Sequence, residues 1–298
     1  MNKYEYKNLV FEGGGVKGLA YIGALEELEL NGVLNNIENV AGTSAGAITA
    51  TLLALGYTSA EIRMIMYDVN FNDFVDKSKY KIKNLYDIIT KFGISKGNIF
   101  KNWINTLIYK KLNTHYATFT TLNNYKQNTK YMLFRNLKIV GTNLSKKRVE
   151  IFSFQTTPDM LIADAVRISM SIPLFFQSVK YNNNIYVDGS LFWNYPLTIY
   201  DKNNVINLDT LGLRIDSTST NSVILKKISI LNYLHMLVDI ILNQQNSKHI
   251  HSADWGRTIS IPDENISAIN FNISEFNKNK LIKSGVISVL KYFQTIFK

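Results

Sequence analysis

The stretch NLVFEGGGVKG, residues 8–18, decides the fold. Asn8 to Phe11 is short and apolar and reads as a strand. Gly13-Gly14-Gly15-Val16-Lys17-Gly18 follows. From there to about Leu30 the apolar positions Leu19, Ile22, Leu25 and Leu28 fall on helical spacing, and Asn31-Gly32 ends the run. Glu38 to Ala41 reads as a second strand, followed by Gly42-Thr43-Ser44-Ala45-Gly46. The next helix runs from about Ala45 to Leu55 and stops at Gly56. Strand, helix, strand, helix implies parallel strands joined by a right-handed crossover, so an α/β fold. Parallel neighbours place both glycine-containing turns at the carboxyl edge of one sheet.

Working outward, residues from about Tyr57 to Lys126 are Lys/Asn-rich and read as a helical insertion or cap, broken by Gly93 and Gly97. Lys130 to Asn143 and Val149 to Phe154 read as paired strands, with Leu144-Ser145-Lys146-Lys147 as their turn. Pro158 to about Met170 reads as a helix. Ser178–Tyr181 and Ile185–Asp188 form a hairpin turning at Asn182-Asn183-Asn184. Two amphipathic helices are expected at about 226–246 and 279–297. No repeat or long linker divides the chain. The expected organisation is a single domain over residues 1–298, with a helical extension from about 201 to 298.

The chain has 298 residues, 46% of them hydrophobic, enough for a large core and too apolar for a disordered chain. It has no cysteine, which excludes disulfides, thiolate catalysis and cysteine-ligated zinc. Its formal charge of +10 suits anionic surfaces such as acidic lipid headgroups, and equally serves solubility. No nucleic-acid-binding motif accompanies that charge, so no nucleic-acid partner is expected. The N-terminus MNKYEYKNLVFEGGG lacks the apolar core of a signal peptide, and no apolar run reaches the ~18 residues of a membrane span. The expectation is a cytoplasmic or peripheral-membrane protein, with signal-independent secretion left open.

Gly42-Thr43-Ser44-Ala45-Gly46 has the G-x-S-x-G form at a strand-to-helix turn. A serine there adopts a strained backbone conformation that lifts its hydroxyl above the sheet, at a helix N-terminus that favours developing negative charge. Gly42 and Gly46 are needed because side chains would collide with the neighbouring strand and helix. The structural alternative is a tight turn with Ser44 as a plain helix cap. The turn Gly13, Gly14, Gly15, Lys17, Gly18 can converge backbone N–H groups on one oxygen, forming an oxyanion hole that faces Ser44. Gly13, Gly15 and Gly18 also fit a dinucleotide-binding fingerprint. That reading wants an acidic residue ending strand 2; Glu38 begins it, and the serine turn occupies its end. No Lys-Ser or Lys-Thr follows for a P-loop. Lys17 could hold a lipid phosphate, but an ordinary solvated lysine is the simpler reading.

A serine nucleophile needs a proton acceptor. The chain has four histidines, His115, His235, His249 and His251. The order Ser44, Asp188, then His249 or His251 would suit an α/β-hydrolase triad, although neither histidine lies in a strand-end loop. Asp188 ends the strand Ile185-Tyr186-Val187 and precedes Gly189. There it could be a partly desolvated base or an ordinary Asp-Gly turn.

Taken together these residues resemble the patatin-like phospholipase family. Gly13-Gly14-Gly15-Val16-Lys17-Gly18 is similar to its G-G-G-x-[KR]-G, and Gly42 to Gly46 to its G-x-S-x-G. Ile168-Ser169-Met170-Ser171-Ile172-Pro173 is similar to the block before its aspartate. Asp188-Gly189-Ser190, with Asn194 and Pro196, is similar to its D-G-[GA] block, Ser190 standing where the family has Gly or Ala. The likeness covers about residues 8–200. It implies a three-layer α/β/α fold with a mostly parallel sheet and a Ser44–Asp188 dyad without histidine. It implies acyl-ester hydrolysis of phospholipids or related glycerolipids at a membrane surface, with no metal or cofactor. Some cytotoxic relatives need a protein activator. The competing expectation is a catalytically silent lipid- or protein-binding module on the same fold. The last helix, with Ile282, Val286, Val289, Leu290, Phe293 and Ile296/Phe297 on one face, is either a membrane anchor or a helix packed on the core.

Overall fold

The computed structural model describes residues 6–74, 93–129, 133–203, 205–216 and 252–296. Its central sheet follows the order β10-β9-β1-β2-β4-β8-β7, with β5 branching from β4. The strands are β1 (Asn8–Phe11), β2 (Asn39–Thr43), β4 (Asn136–Asn143), β5 (Arg148–Ser153), β7 (Val179–Tyr181), β8 (Asn184–Asp188), β9 (Thr210–Asp216) and β10 (Thr258–Pro262). From β10 through β4 all pairings are parallel; β4 with β5, β4 with β8 and β7 with β8 are antiparallel. The sheet is therefore mixed, a parallel half joined to an antiparallel half along β4. A second sheet of two short strands, β3 (Gly93–Ser95) and β6 (Leu174–Phe176), pairs the insertion with the segment after Pro173.

The helices are α1 (Ala20–Leu30), α2 (Ala45–Ala54), α3 (Ser59–Tyr67), α4 (Asn98–Leu112), α5 (Phe119–Asn128), α6 (Ile162–Ser169) and α7 (Glu275–Ile296). Side chains alternate across a strand, so neighbours along β1 serve opposite faces. Leu9 and Phe11 join the main core with Val40, Ile139, Leu213 and Ile261, under helix residues such as Leu25, Leu52 and Val166. Val10, Ala41 and Val140 face the other way and pack with Ile199, next to Trp193, Tyr195 and Tyr200. The helix expected at about 226–246 lies outside the described residues.

Helix α7 is packed on the core. Leu281, Ile282, Val289 and Phe293 are buried. The backbones of α1 and α7 cross closely: a Cβ added at Gly23 would lie 2.0 Å from Ile282 O, and one at Gly285 2.0 Å from Ala20 O. The apolar stripe of the sequence serves this contact, with Leu290 left at the exposed margin. The segment after Asp201, expected to be helical, also supplies β9 and β10, which extend the sheet beyond β1. TLGLRID and TISIP alternate apolar Leu211, Leu213, Ile215 and Ile259, Ile261 with polar or small residues, a period-2 strand signal that the expectation of a helical extension passes over.

Candidate active site

The site is organised by one edge of β4. β2 runs parallel to β4 and ends with Thr43 opposite Val140. β8 runs antiparallel to β4 and ends with Asp188 opposite Gly141. β5 occupies the far edge of β4 from Lys138 to Asn143, so β2 and β8 share the near edge and meet head-on. Ser44, the residue after Thr43, and Asp188 are thereby brought to adjacent rungs, although nothing local in the chain links them.

The serine turn has the expected strain. Ser44 sits at φ 53° and ψ −125°, a region rarely populated by residues with side chains, at a cost of order 1–3 kcal/mol. Its hydroxyl makes no capping bond to α2, so the plain helix-cap alternative does not hold. A Cβ on Gly42 would meet Gly46 O at 2.3 Å, and one on Gly46 would meet Phe11 O at 2.5 Å, which is why the turn tolerates only glycine at both flanks. The Ser44 N–H donates to Ser169 Oγ at 2.9 Å, and the Ser44 hydroxyl contacts Met170 Sδ at 3.6 Å.

Asp188 is fully buried. Burial lifts its carboxyl from 3.8 to about 6, against the opposing pull of the Ser190 N–H and of the Ser44 and Ser190 hydroxyls. Oδ1 accepts from Ser190 N at 2.8 Å. Oδ2 has no hydrogen-bond partner among the described residues. A buried carboxylate oxygen without a donor is costly, and the hydroxyls of Ser44 and Ser190 are the neighbours able to relieve it.

The glycine turn closes the site from the other side. A Cβ on Gly13 would lie 3.1 Å from Ser44 Cβ. Asn194 clamps this residue: Gly13 N donates to Asn194 O at 3.0 Å, and Asn194 Nδ2 donates to Gly13 O at 3.1 Å. Val16 N donates to Ala268 O and Lys17 N to Gly14 O. Gly14 N–H and Gly15 N–H are left without a backbone acceptor among the described residues, as an oxyanion hole requires. Gly18 stands back from the pocket, against Ala45. Lys17 corrects the expectation of a solvated lysine: it is buried, lines the pocket and pairs with Asp263 at 3.3 Å. Asp263 follows β10, far along the chain, so no local pattern signals the pair.

Below the turn lies Glu12, fully buried, which accepts from Ile215 N at 2.6 Å and from Asn194 Nδ2 at 3.3 Å. Desolvation pushes its carboxyl up to about 8, with Arg214, the Ile215 N–H and Lys17 opposing. Ala268, Ile269, Ile172 and Ile215 complete the pocket, whose free volume of about 20 Å³ has room for a water but not an acyl chain. His115 stacks on Tyr109 with ring centroids 4.2 Å apart. His235, His249 and His251 lie outside the described residues. Among the described residues no cluster of His, Cys, Asp or Glu could hold a metal, and no helix is long and apolar enough to cross a membrane.

Ser169, Met170 and Glu12 are contacts that sequence reasoning does not assign. The first two lie in the block similar to a family motif, the only signal that could have found them; Glu12 is marked only by being acidic inside an apolar strand-turn junction.

The fold and the order of these turns define a class, and residues 9–201 match the family model described as patatin-like phospholipase. The chain belongs to the patatin-like phospholipase family. Protein R571 of Acanthamoeba polyphaga mimivirus is 32% identical, over 97% of this chain and 94% of its own. Probable lipid hydrolase 463L of Invertebrate iridescent virus 6 is 33% identical, over 65% of this chain and 63% of its own. Among solved structures, VipD from Legionella pneumophila matches with a TM-score of 0.68 at 18% identity, covering 98% of this chain and 67% of VipD. ExoU of Pseudomonas aeruginosa, solved with SpcU, matches with a TM-score of 0.59 at 20% identity, and this chain spans about half of it (98% and 52%). At these identities the two structures speak for the fold alone.

Proposed function

We propose that this protein hydrolyses fatty-acyl esters of phospholipids or related glycerolipids, with Ser44 as nucleophile and Asp188 as base. The observation that carries the reading is the head-on approach of β2 and β8 along β4, which sets a strained serine beside a desolvated carboxylate. Asp188 takes the proton of Ser44 Oγ as that oxygen attacks the ester carbonyl carbon. The N–H groups of Gly14 and Gly15, with that of Ala45 at the start of α2, stabilise the oxyanion. Collapse expels the alcohol portion, which recovers the proton from Asp188 and leaves an acyl-serine. Water then attacks the acyl carbon, gives a proton to Asp188, and releases the fatty acid as Ser44 regains its hydrogen. The scheme uses no histidine, metal or cofactor.

Such a substrate lies in a bilayer, so docking at a phospholipid surface is part of the proposal, and a net charge of +10 suits acidic headgroups. An acyl chain needs more room than this pocket gives, so part of its lining has to shift when a substrate binds, and a protein activator is one agent that could shift it. Lipid-product analysis on mixed phospholipid vesicles, beside Ser44→Ala and Asp188→Asn, tests the reading. Product is expected from the wild type, with losses of at least about a hundredfold in both variants. Vesicle binding without product would favour a silent module. Near-normal activity in Asp188→Asn, with loss in His249→Ala or His251→Ala, would overturn the dyad.

A further inference from the structure

The end of α6 touches both members of the pair through consecutive residues. Ser169 Oγ accepts from Ser44 N at 2.9 Å and donates to Val140 O at 2.7 Å. Met170 Sδ lies 3.6 Å from Ser44 Oγ. Ser171 O accepts from Asp188 N at 3.0 Å. The turn is itself fixed: Arg167 Nη1 donates to Ser171 Oγ, and Arg167 Nη2 holds Lys96 O at 2.7 Å and Gln177 O at 2.9 Å. Ser169 and Ser171 are fully buried, so no water competes for these bonds.

The place where Ser169 enters matters. Along β4, Val140 is the last residue paired to β2 and Gly141 the first paired to β8 in this region. The two strand ends leave a gap at that point. Val140 O, which faces the end of β2, does not receive the Ser44 N–H. A hydroxyl stands between them and relays the bond, so Ser44 is held one oxygen atom away from β4. Gly189 keeps the space open, since a Cβ there would lie 2.5 Å from Val140 O.

We propose that Ser169 is a positioning residue, whose hydroxyl, inserted between Ser44 N–H and Val140 O, sets the separation of Ser44 from Asp188. Met170 and Ser171 complete a template that refers both strand ends to one turn of backbone. Ser169 touches neither substrate nor reacting atoms. Without its hydroxyl, Ser44 N–H and Val140 O are both buried and unpaired, and they relieve this by closing on each other. Ser44 then moves off line by about an ångström, a misplacement that costs on the order of a hundredfold in rate.

This inference rests on the Ser44–Asp188 reading, and the test separates the two. Rates on a soluble short-chain ester are measured for Ser169→Ala and Ser169→Cys, with Ser44→Ala and Asp188→Asn alongside, together with thermal unfolding of each. The expected result is a fall in kcat of about a hundredfold with KM little changed for Ser169→Ala, at temperatures well below its unfolding. Ser169→Cys fills the same space with a poor hydrogen-bond acceptor and should follow Ala; it also carries the test should Ala not fold. A wild-type kcat in either variant, with only a lowered unfolding temperature, overturns the proposal. So does failure of both variants to fold, which would make the hydroxyl a requirement of folding and not of positioning. Activity retained in Ser44→Ala or Asp188→Asn would instead sink the dyad itself.

Discussion

If Asp188 is the proton acceptor, only its ionised fraction can work. Burial lifts its carboxyl to about 6. The ionised share is then about nine-tenths at pH 7, one-half at pH 6 and one-tenth at pH 5. kcat/KM reports the free enzyme, so it should fall roughly tenfold between pH 7 and pH 5. An ordinary aspartate near 3.9 would lose less than about a tenth of its activity over that interval. A soluble short-chain ester is the substrate of choice, because membrane docking has a pH dependence of its own. A histidine would titrate in the same range, so Asp188→Asn must be run in parallel. Asn keeps an oxygen to accept from Ser190 N–H and puts an amide where Oδ2 has no partner, so the turn should survive while the base is lost. The variant should be slower by about 10²–10⁴-fold, with no inflection near pH 6. A wild-type profile flat down to pH 5, or an inflection that persists in Asp188→Asn, would refute the reasoning.

Two further outcomes follow from the neighbouring groups. Gly15 has φ +55°, and a Cβ there would lie 2.0 Å from Ala268 O, so Gly15→Ala should lower stability by roughly 1–3 kcal/mol and activity by more than about tenfold, read by thermal melts and ester hydrolysis. Glu12 has its folded-state carboxyl raised to about 8, so its contribution to stability is full below about pH 4.5 and is lost as pH rises through 8. Glu12→Gln should therefore flatten the decline of unfolding temperature between pH 5 and 8; an unchanged slope would show that Glu12 is not protonated in the folded state.

The part of the parallel half built on β1 and β2 is legible because its signals are local. The strand before Gly13, the glycine turn, the spacing of Leu19, Ile22, Leu25 and Leu28, and the serine turn all lie within a few dozen residues, and each restricts the backbone by itself. The hairpin ending at Asp188 is legible for the same reason. What is not legible is set by distant partners. Lys17 reads as solvated until Asp263 arrives beside it from the end of β10. β9 and β10 do alternate, with Leu211, Leu213, Ile215 and Ile259, Ile261 at every second position, but each is short, and their parallel partners β1 and β9 lie far away along the chain. Ser169 is one serine in a short helix, and only the gap between β2 and β8 gives its hydroxyl a task. The apolar face of α7 is equally visible as a stripe, but whether it meets lipid or protein depends on Gly23 and Gly285, whose missing side chains let the backbones of α1 and α7 approach.

The meeting of two strand ends on β4 has a consequence for the life of the chain before it is complete. A polypeptide interrupted ahead of residue 188 lacks Asp188, and it also lacks Asn194 and Ala268, which hold Gly13 and Val16 of the glycine turn. If the proposed pair of Ser44 and Asp188 does the chemistry, competence waits on the hairpin and on the segments that follow it. On that proposal, a nascent chain that stops short of these segments would not yet hydrolyse lipid.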